Sequence, residues 1–185
     1  MNEPRLLKKY RKDVIPSMKE KFGYKNVMAI PKLEKVVVSV GIGKASVLKD
    51  NKKIEKIKED IAKITGQKPA DRKSKKSISG FKVREGMNVG VMVTLRGKRM
   101  YDFIDRLISI ALPRARDFRG LNPKSFDKKG NLNIGIKEHN IFPEVSYETL
   151  KDLFSFQVTV ATTSNTREEG EELLRLIGFP IKAVS

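Results

Sequence analysis

Apolar residues recur along this chain with two periods, and the two periods alternate. Spacings of three and four residues predict a first helix from near Pro4 to near Gly23 and further helices over residues 51–65, 99–112 and 166–177. Every-second-residue patterns predict strands over residues 33–40, 89–95, 131–137 and 156–162. Because these elements interleave without a long linker or a repeat, we predict one α+β domain over residues 1–185. Its sheet is expected to be largely antiparallel, with helices packed on one face and the other face open to a partner.

The inward residues and the ends of the helices follow from the same spacing. The first helix is expected to bury Leu7, Tyr10, Val14 and Met18 and to kink at Pro16. The third helix is expected to bury an apolar face and to stop at Pro113. In the second helix Ile54, Ile57, Ile61 and Ile64 line one face, before Gly66 as a C-terminal cap. The last helix is predicted to open with a capping box of Thr166 and Glu169 and to bury Leu173, Leu174 and Ile177.

The segment 66–100 does not fit a helix, and its charge sets it apart. It holds ten Lys or Arg residues against two acids, within a chain of formal net charge +17. Its basic part has no apolar residue before Ile78, so we predict a protruding, mobile basic loop over about residues 72–86. Phe81 lies among cations and could stack on a base while they neutralise phosphates. The alternative is a run of solvated charges that only keeps the protein soluble. We favour binding of nucleic acid by this segment.

Composition narrows the class of protein further. The last 45 residues carry four bases and seven acids, so the positive charge is confined to the first three quarters of the chain. Cysteine is absent, which excludes disulfides, thiolate zinc sites and cysteine nucleophiles. The N-terminal residues have no apolar segment typical of a signal peptide, and no run is long enough for a membrane span. We expect a soluble, intracellular protein.

Signals for catalysis are weak. The GIGKA segment at 41–45 lacks the spacing and the Ser or Thr of a phosphate-binding loop. His139 is the single histidine, and we expect a surface or turn position for it. The glutamates at 168, 169, 171 and 172 suit the first turn of a helix better than a metal site. We predict no enzyme, cofactor or metal. A nucleotide-using or RNA-modifying enzyme with a basic substrate surface is the alternative.

Several segments occur in an order that resembles a known family. They are VMAIPKLEKVVVSVGIG, ITGQKP, KSISGFKVREG, VTLRGKRMYDFIDRLISIALPRARDFRGL, KSFDKKGN and FPEV. Over about residues 10–180 they resemble bacterial large-subunit ribosomal protein five, the 5S rRNA-binding protein of the central protuberance. The resemblance implies a cytoplasmic, ribosome-bound, non-catalytic protein with a curved sheet. It also implies four partners: 5S rRNA, large-subunit rRNA, P-site tRNA and, through an intersubunit bridge, small-subunit protein thirteen.

The resemblance and the residue chemistry together suggest three sites. For 5S rRNA we expect Arg11, Lys12, Ser39, Gly41, Gly43, Gln67, Lys68, Thr94 and Arg96. For tRNA we expect Arg72, Lys73, Lys75, Lys76, Phe81, Lys82 and Arg84. For the bridge we expect Arg114, Arg116, Glu144 and Asp152, within segments 112–118 and 138–152. Two departures from the family are Ser39, where Asn is usual, and ADRKSKKS, which is less apolar than usual.

Overall fold

The structure, a computed structural model, describes residues 3–116, 118–145 and 153–182. These residues form a five-stranded antiparallel sheet with the strand order β2-β3-β1-β5-β4. The strands are β1 (Leu33–Gly41), β2 (Ala70–Lys73), β3 (Asn88–Leu95), β4 (Leu132–Ile136) and β5 (Phe156–Thr162). The predicted α+β class with its antiparallel sheet is confirmed. No helix within the described ranges is long and apolar enough to cross a membrane.

Helices connect the strands, and each predicted helix matches a continuous helical segment to within two residues at both ends. The α-helices are α1 (Arg5–Lys9), α2 (Ile15–Phe22), α3 (Gly43–Val47), α4 (Asn51–Thr65), α5 (Gly97–Arg106), α6 (Leu112–Arg114) and α7 (Arg167–Ile177). The short helix α3 was not predicted. The chain divides into two compact units. Unit 1 comprises residues 1–36, 96–134 and 159–185, and unit 2 comprises residues 37–95 and 135–158.

Two prolines in unit 1 lie within continuous helical segments. A π-helical turn, Tyr10–Val14, leads into α2 with its Pro16, and a second one, Leu107–Ala111, leads into α6 with its Pro113. A π turn shifts the backbone hydrogen bonds by one residue, which accommodates the missing N–H and the bulk of the proline ring. The prediction that Pro113 stops the helix is therefore wrong, since the helix continues to Arg114.

The buried stripe of the first helical segment begins one residue earlier than predicted. Leu6 is buried together with Tyr10, Val14 and Met18, whereas Leu7 is only half-buried. The inserted residue of the π turn changes the phase of the helix, so a strict spacing of three and four residues selects the wrong leucine. The Tyr10 hydroxyl donates to the carbonyl of Pro31 at 3.0 Å. Burial raises the pKa of Tyr10 above its ordinary value.

The start of α7, also in unit 1, has the predicted capping box. The Thr166 hydroxyl accepts from the backbone N–H of Glu169, and the Glu169 carboxylate accepts from the N–H of Thr166. The Tyr24 hydroxyl donates to the same carboxylate. Burial raises the pKa of Glu169, but these hydrogen bonds outweigh it and the pKa lies below its usual value. The glutamate cluster is thus part of the helix, and no group of metal-ligating side chains occurs among the described residues.

Unit 2 has the alternating strands and the amphipathic helix that the sequence predicted. On β1, Val38 and Val40 are buried, and on β3, Val91, Val93 and Leu95 are buried. Ile57, Ile61 and Ile64 of α4 are buried as well, and Gly66 ends that helix with φ 68°. Each strand therefore has one core face and one half-exposed face.

His139 differs from the prediction in its burial. It does lie in a turn, the 3-10 helix His139–Ile141, but it is only 1% exposed. Its ring stacks on Phe154 with centroids 4.1 Å apart, and its Nδ1 accepts from the Phe154 N–H at 3.4 Å. Its Nε2 lies 4.0 Å from a carboxylate oxygen of buried Asp60. The expected surface position is wrong because stacking and these polar neighbours compensate the imidazole for lost water.

Candidate RNA interface

The basic segment is a β-hairpin, which we call the basic arm (residues 70–87). Strand β2 pairs with β3 in antiparallel register, with Ala70 opposite Met92 and Arg72 opposite Gly90. The pairing continues outward, since the Ser74 N–H donates to the Met87 carbonyl at 2.8 Å. All four β2 residues are exposed, so strand pairing and not burial holds them. The prediction of a loop without regular structure is therefore wrong at the base of the arm. There the strand β2 forms although its residues do not alternate between apolar and polar.

The tip of the arm is closed by backbone hydrogen bonds. Ile78 and Val83 exchange two of them, with N···O distances of 2.9 and 3.2 Å, around the 3-10 turn Ser79–Phe81. The Ser77 hydroxyl accepts from the Glu85 N–H at 2.9 Å. Lys82 has a left-handed backbone with φ 53°, which reverses the chain. The tip consequently presents its side chains from a defined backbone.

Cations and one aromatic ring cover the surface of the arm. The side chains predicted for tRNA are all exposed: Arg72, Lys73, Lys75, Lys76, Phe81, Lys82 and Arg84. Phe81 is 74% exposed and Ile78 is 48% exposed. A ring that is mostly exposed gains little from burial, and among cations it suits stacking on an unpaired base. The structure thus places the predicted tRNA residues on a single hairpin.

The base of the arm is braced by a polar network that the sequence analysis missed. Lys58 of α4 donates to Asp71 of β2 at 2.9 Å, and Asn88 of β3 donates to the same carboxylate at 2.8 Å. The hydrogen bond from Lys58 is the largest influence on Asp71 and lowers its pKa below the usual value. Asp71 is one of only two acids in the basic segment, and this was the signal that the sequence offered. The network links the helix to both strands of the hairpin.

The predicted 5S rRNA residues on β1 and β3 lie on the half-exposed face. Ser39 and Thr94 alternate with the buried residues of their strands. At the end of β1, a Cβ added to Gly41 would meet no protein atom within 4 Å. By contrast, the sheet approaches Gly90 closely, since a Cβ there would lie 3.2 Å from the Val40 carbonyl oxygen. The surface at Gly41 is thus open to an external backbone.

The remaining 5S candidates occupy helix ends and the first helical segment. Gly43 begins α3, and Gly66 turns the chain at the end of α4 and places Gln67 and Lys68 before β2. In unit 1, Arg96 is exposed at the position preceding α5, and Lys12 is exposed in the first π turn. Arg11 is exposed there too, and its Nη1 lies 2.6 Å from a carboxylate oxygen of Glu3. Arg11 is therefore partly neutralised in the free protein.

The predicted bridge residues fall in both units. Arg114 at the end of α6 is exposed in unit 1, and Arg116 lies just beyond it. Glu144 belongs to unit 2 and is half-buried, with its Oε2 shielded from solvent. Asp152 and Glu148, the other expected acids of the patch, lie outside the described residues.

Sequence comparisons give a consistent result over almost the whole chain. Residues 26–84 match the family described as Ribosomal protein L5, and residues 88–181 match the C-terminal region of the same ribosomal protein family. Large ribosomal subunit protein uL5 of Rubrobacter xylanophilus is 52% identical over 178 residues, which are 96% of this chain and 98% of the relative. The uL5 proteins of Carboxydothermus hydrogenoformans and Heliobacterium modesticaldum are 52% and 53% identical, over 96% and 97% of this chain and 98% of each relative.

Proposed function

Since the chain belongs to the ribosomal protein L5 family and is a structural constituent of the large ribosomal subunit, we propose that it binds 5S rRNA, contacts P-site tRNA and bridges to small-subunit protein thirteen. As a member of that family it is an RNA-binding protein of the cytoplasmic ribosome and not an enzyme. The enzyme alternative is thereby excluded. The three finer contacts are assigned to the β1–β3 surface, the basic arm and the charged segments near residues 114 and 144.

The 5S rRNA assignment is supported by the open surface at the ends of β1 and β3. Ser39 and Thr94 offer hydroxyl groups on the face that the core does not use, and Gly41 leaves room for a nucleic acid backbone. Hydroxyl and amide groups can bond sugar and base edges, while Lys68 and Arg96 can pair with phosphates. RNA recognition requires both kinds of group: polar side chains that hydrogen-bond to sugars and base edges, and cations that pair with phosphates.

The test is a filter-binding titration of 5S rRNA with Gln67→Ala combined with Thr94→Ala. Losing two hydrogen-bonding side chains of an interface should weaken binding roughly tenfold. Asn165→Ala is the control, because it removes an exposed amide side chain in unit 1 that is not among the residues proposed for 5S rRNA. Unchanged 5S rRNA affinity in the double variant would contradict the assignment.

The observation that carries the tRNA proposal is the exposed ring of Phe81 at the tip of a cationic hairpin. A contact that serves every tRNA cannot depend on base sequence, so backbone charge and ring stacking are suitable. We expect Phe81→Ala with Lys82→Gln to reduce P-site tRNA occupancy in ribosomes that retain 5S rRNA. A role of the arm in assembly alone predicts normal occupancy together with defective subunits.

The bridge proposal rests on charge. Arg114 and Arg116 can exchange polar contacts as the subunits rotate, and the acids at 144 and 152 would attract a basic ribosomal protein. Charge reversal at Glu144 and Asp152 should lower the fraction of joined subunits at low magnesium. Lys19→Glu with Lys25→Glu is a charge-reversal control at exposed sites outside the bridge. An unchanged joined fraction in the bridge variant would contradict this part of the proposal.

A further inference from the structure

One cationic surface of unit 1 has no role in the three proposed contacts. It is the turn formed by residues 124–131, which we call the lysine turn, together with Arg167 at the start of α7. Its cations are Lys124, Lys128, Lys129 and Arg167. The Arg167 Nη2 donates to the Pro123 carbonyl at 2.7 Å, so the guanidinium lies beside the residue that precedes Lys124.

The acids of this surface do not cancel its charge. The side chain of Asp127 points inward, toward the backbone of the lysine turn. Its carboxylate accepts from the backbone N–H groups of Lys129 and Asn131 at 2.9 and 2.8 Å. It also accepts from the Asn131 side-chain amide at 2.7 Å. Burial raises the pKa of Asp127, but these hydrogen bonds prevail and hold the pKa below its usual value. Glu168 and Glu169 follow Arg167 in the first turn of α7, and Glu169 is engaged by Tyr24 and the capping box, so four cations lie beside three acids.

The backbone of the lysine turn is held by polar bonds from β5 and the residues after it. The Ser164 hydroxyl donates to the Lys129 carbonyl at 2.7 Å and lies 2.6 Å from the Thr162 hydroxyl. The Thr162 N–H donates to the Asn131 side chain at 2.9 Å. Ser164 and Thr162 are both buried. These bonds fix the part of the turn that carries Lys128 and Lys129.

A close glycine contact fixes the same turn against α7. Gly130 has φ +76°, and a Cβ added there would lie 2.8 Å from the Gly170 Cα. A Cβ added to Gly170 would overlap the Gly130 carbonyl. The two backbones therefore meet with no side chain between them, and the turn cannot shift without losing this contact.

We propose that the lysine turn with Arg167 is a preorganised binding site for the phosphate backbone of ribosomal RNA. An exposed turn needs no such fixation for solubility, whereas a fixed backbone lowers the entropy lost when lysines bind phosphates. The protein is a constituent of the large ribosomal subunit, so ribosomal RNA is a polyanion that these cations can meet. The absence of an exposed aromatic ring in residues 123–131 favours backbone contact over base stacking.

The experiment is a filter-binding titration of total large-subunit rRNA over a series of salt concentrations. Lys128→Gln with Lys129→Gln should lower affinity and reduce the slope of log affinity against log salt by about 1.4–1.8, since two phosphate contacts are lost. Lys19→Gln with Lys25→Gln removes the same charge from exposed sites of unit 1 that lie outside the lysine turn. This control should leave the slope nearly unchanged.

A third variant separates the effect of the fixed backbone on rRNA binding from the effect of charge. Asp127→Ala keeps every cation and raises the net charge by one, yet it removes the three hydrogen bonds that shape the turn. The proposal predicts weaker rRNA binding by a factor of several, whereas attraction by net charge alone predicts equal or tighter binding. Melting curves identify any loss of folding, and the two lysine variants test the site even if Asp127→Ala is unstable.

Two results would overturn the proposal. One is an equal loss of affinity in both lysine pairs, which would mean diffuse attraction. The other is a variant with Lys128→Gln and Lys129→Gln that binds rRNA as tightly as the wild-type protein does but is missing from purified large subunits. That combination would mean that the turn binds a neighbouring protein.

Discussion

The basic arm and the lysine turn both present cations, but the fold holds them in different ways. The arm is held by strand pairing, by a backbone bridge near its tip and by the Lys58–Asp71–Asn88 network at its base. Its cations are exposed, and a Cβ added at Gly80 would meet nothing within 4 Å. The lysine turn is pressed backbone to backbone against α7. Similar charge is thus presented by an exposed hairpin in one region and by a packed turn in the other.

This difference suggests two uses of charge. An exposed hairpin can meet a ligand that enters and leaves, as P-site tRNA does. A turn that is packed on a helix suits a permanent RNA neighbour, because the entropy of ordering is lost once, when the protein folds. Substitutions at corresponding positions of the two regions should therefore have unequal effects on stability.

The largest difference is expected between Gly170→Ala and Gly80→Ala. The added methyl group at position 170 overlaps the Gly130 carbonyl, so the backbones must separate. We expect a loss of about 3 kcal/mol of unfolding free energy and a fall in Tm of roughly 6–12 °C. Gly80→Ala meets open space and should leave Tm unchanged. Thermal unfolding of both variants checks this, and equal Tm values would remove the structural basis of the comparison.

A smaller difference is expected between Asp127→Ala and Asp71→Ala. Asp127 accepts two backbone N–H groups as well as a side-chain amide, and their loss should cost about 1.5 kcal/mol. Asp71 accepts only side-chain donors at an exposed site, so its loss should cost under about 1 kcal/mol. Urea unfolding at neutral pH measures both values. A larger cost for Asp71 would indicate that the arm is the more tightly held region.

The same two carboxylates should affect acid stability. Both pKa values lie below the ordinary 3.8 in the folded protein, so each carboxylate contributes stability above that pH. This contribution is lost as pH falls from about 3.8 through the folded values. The wild-type protein should therefore lose more stability over this window than either alanine variant, as followed by Tm at a series of acidic pH values. A variant with the same pH profile as wild type would contradict the shift at its position.

The smallest effect on stability is expected for Phe81→Ala. The ring is 74% exposed, so its removal should change unfolding free energy by less than about 0.5 kcal/mol. P-site tRNA occupancy should nevertheless fall in ribosomes carrying this variant. Tyr10→Ala is a useful contrast, because it removes a buried aromatic ring of unit 1 and should lower Tm strongly. A stability loss for Phe81→Ala would mean that the ring packs in the folded protein.

Sequence patterns were sufficient to predict those helices and strands whose formation is determined by the burial of their apolar residues. Strands β1, β3 and β5 and helices α4 and α7 were predictable because each has an apolar period, and both helices have caps at their ends. Strand β2 was not, because all four of its residues are exposed and it forms only by pairing with β3. Pro113 was misjudged because a π turn upstream accommodates it.

Candidate site residues were predictable to the extent that charge reveals them. The cations of the basic arm and Phe81 could be recognised from composition and order alone. The brace at Asp71 and the fixation of the lysine turn could not, since Lys58, Asn88, Ser164 and Gly170 are distant in sequence from the groups that they hold. Their pairing arises from the fold.

The most direct test of the proposed function is a nucleotide-resolution map of RNA crosslinks from this protein in intact ribosomes, with and without P-site tRNA. We predict crosslinks from Gln67 and Thr94 to 5S rRNA in both states. We predict crosslinks from Phe81 and Lys82 to tRNA only when the P site is filled. Crosslinks of the arm to ribosomal RNA alone, unchanged by tRNA, or an absence of 5S rRNA from the β1–β3 surface, would contradict the proposed function.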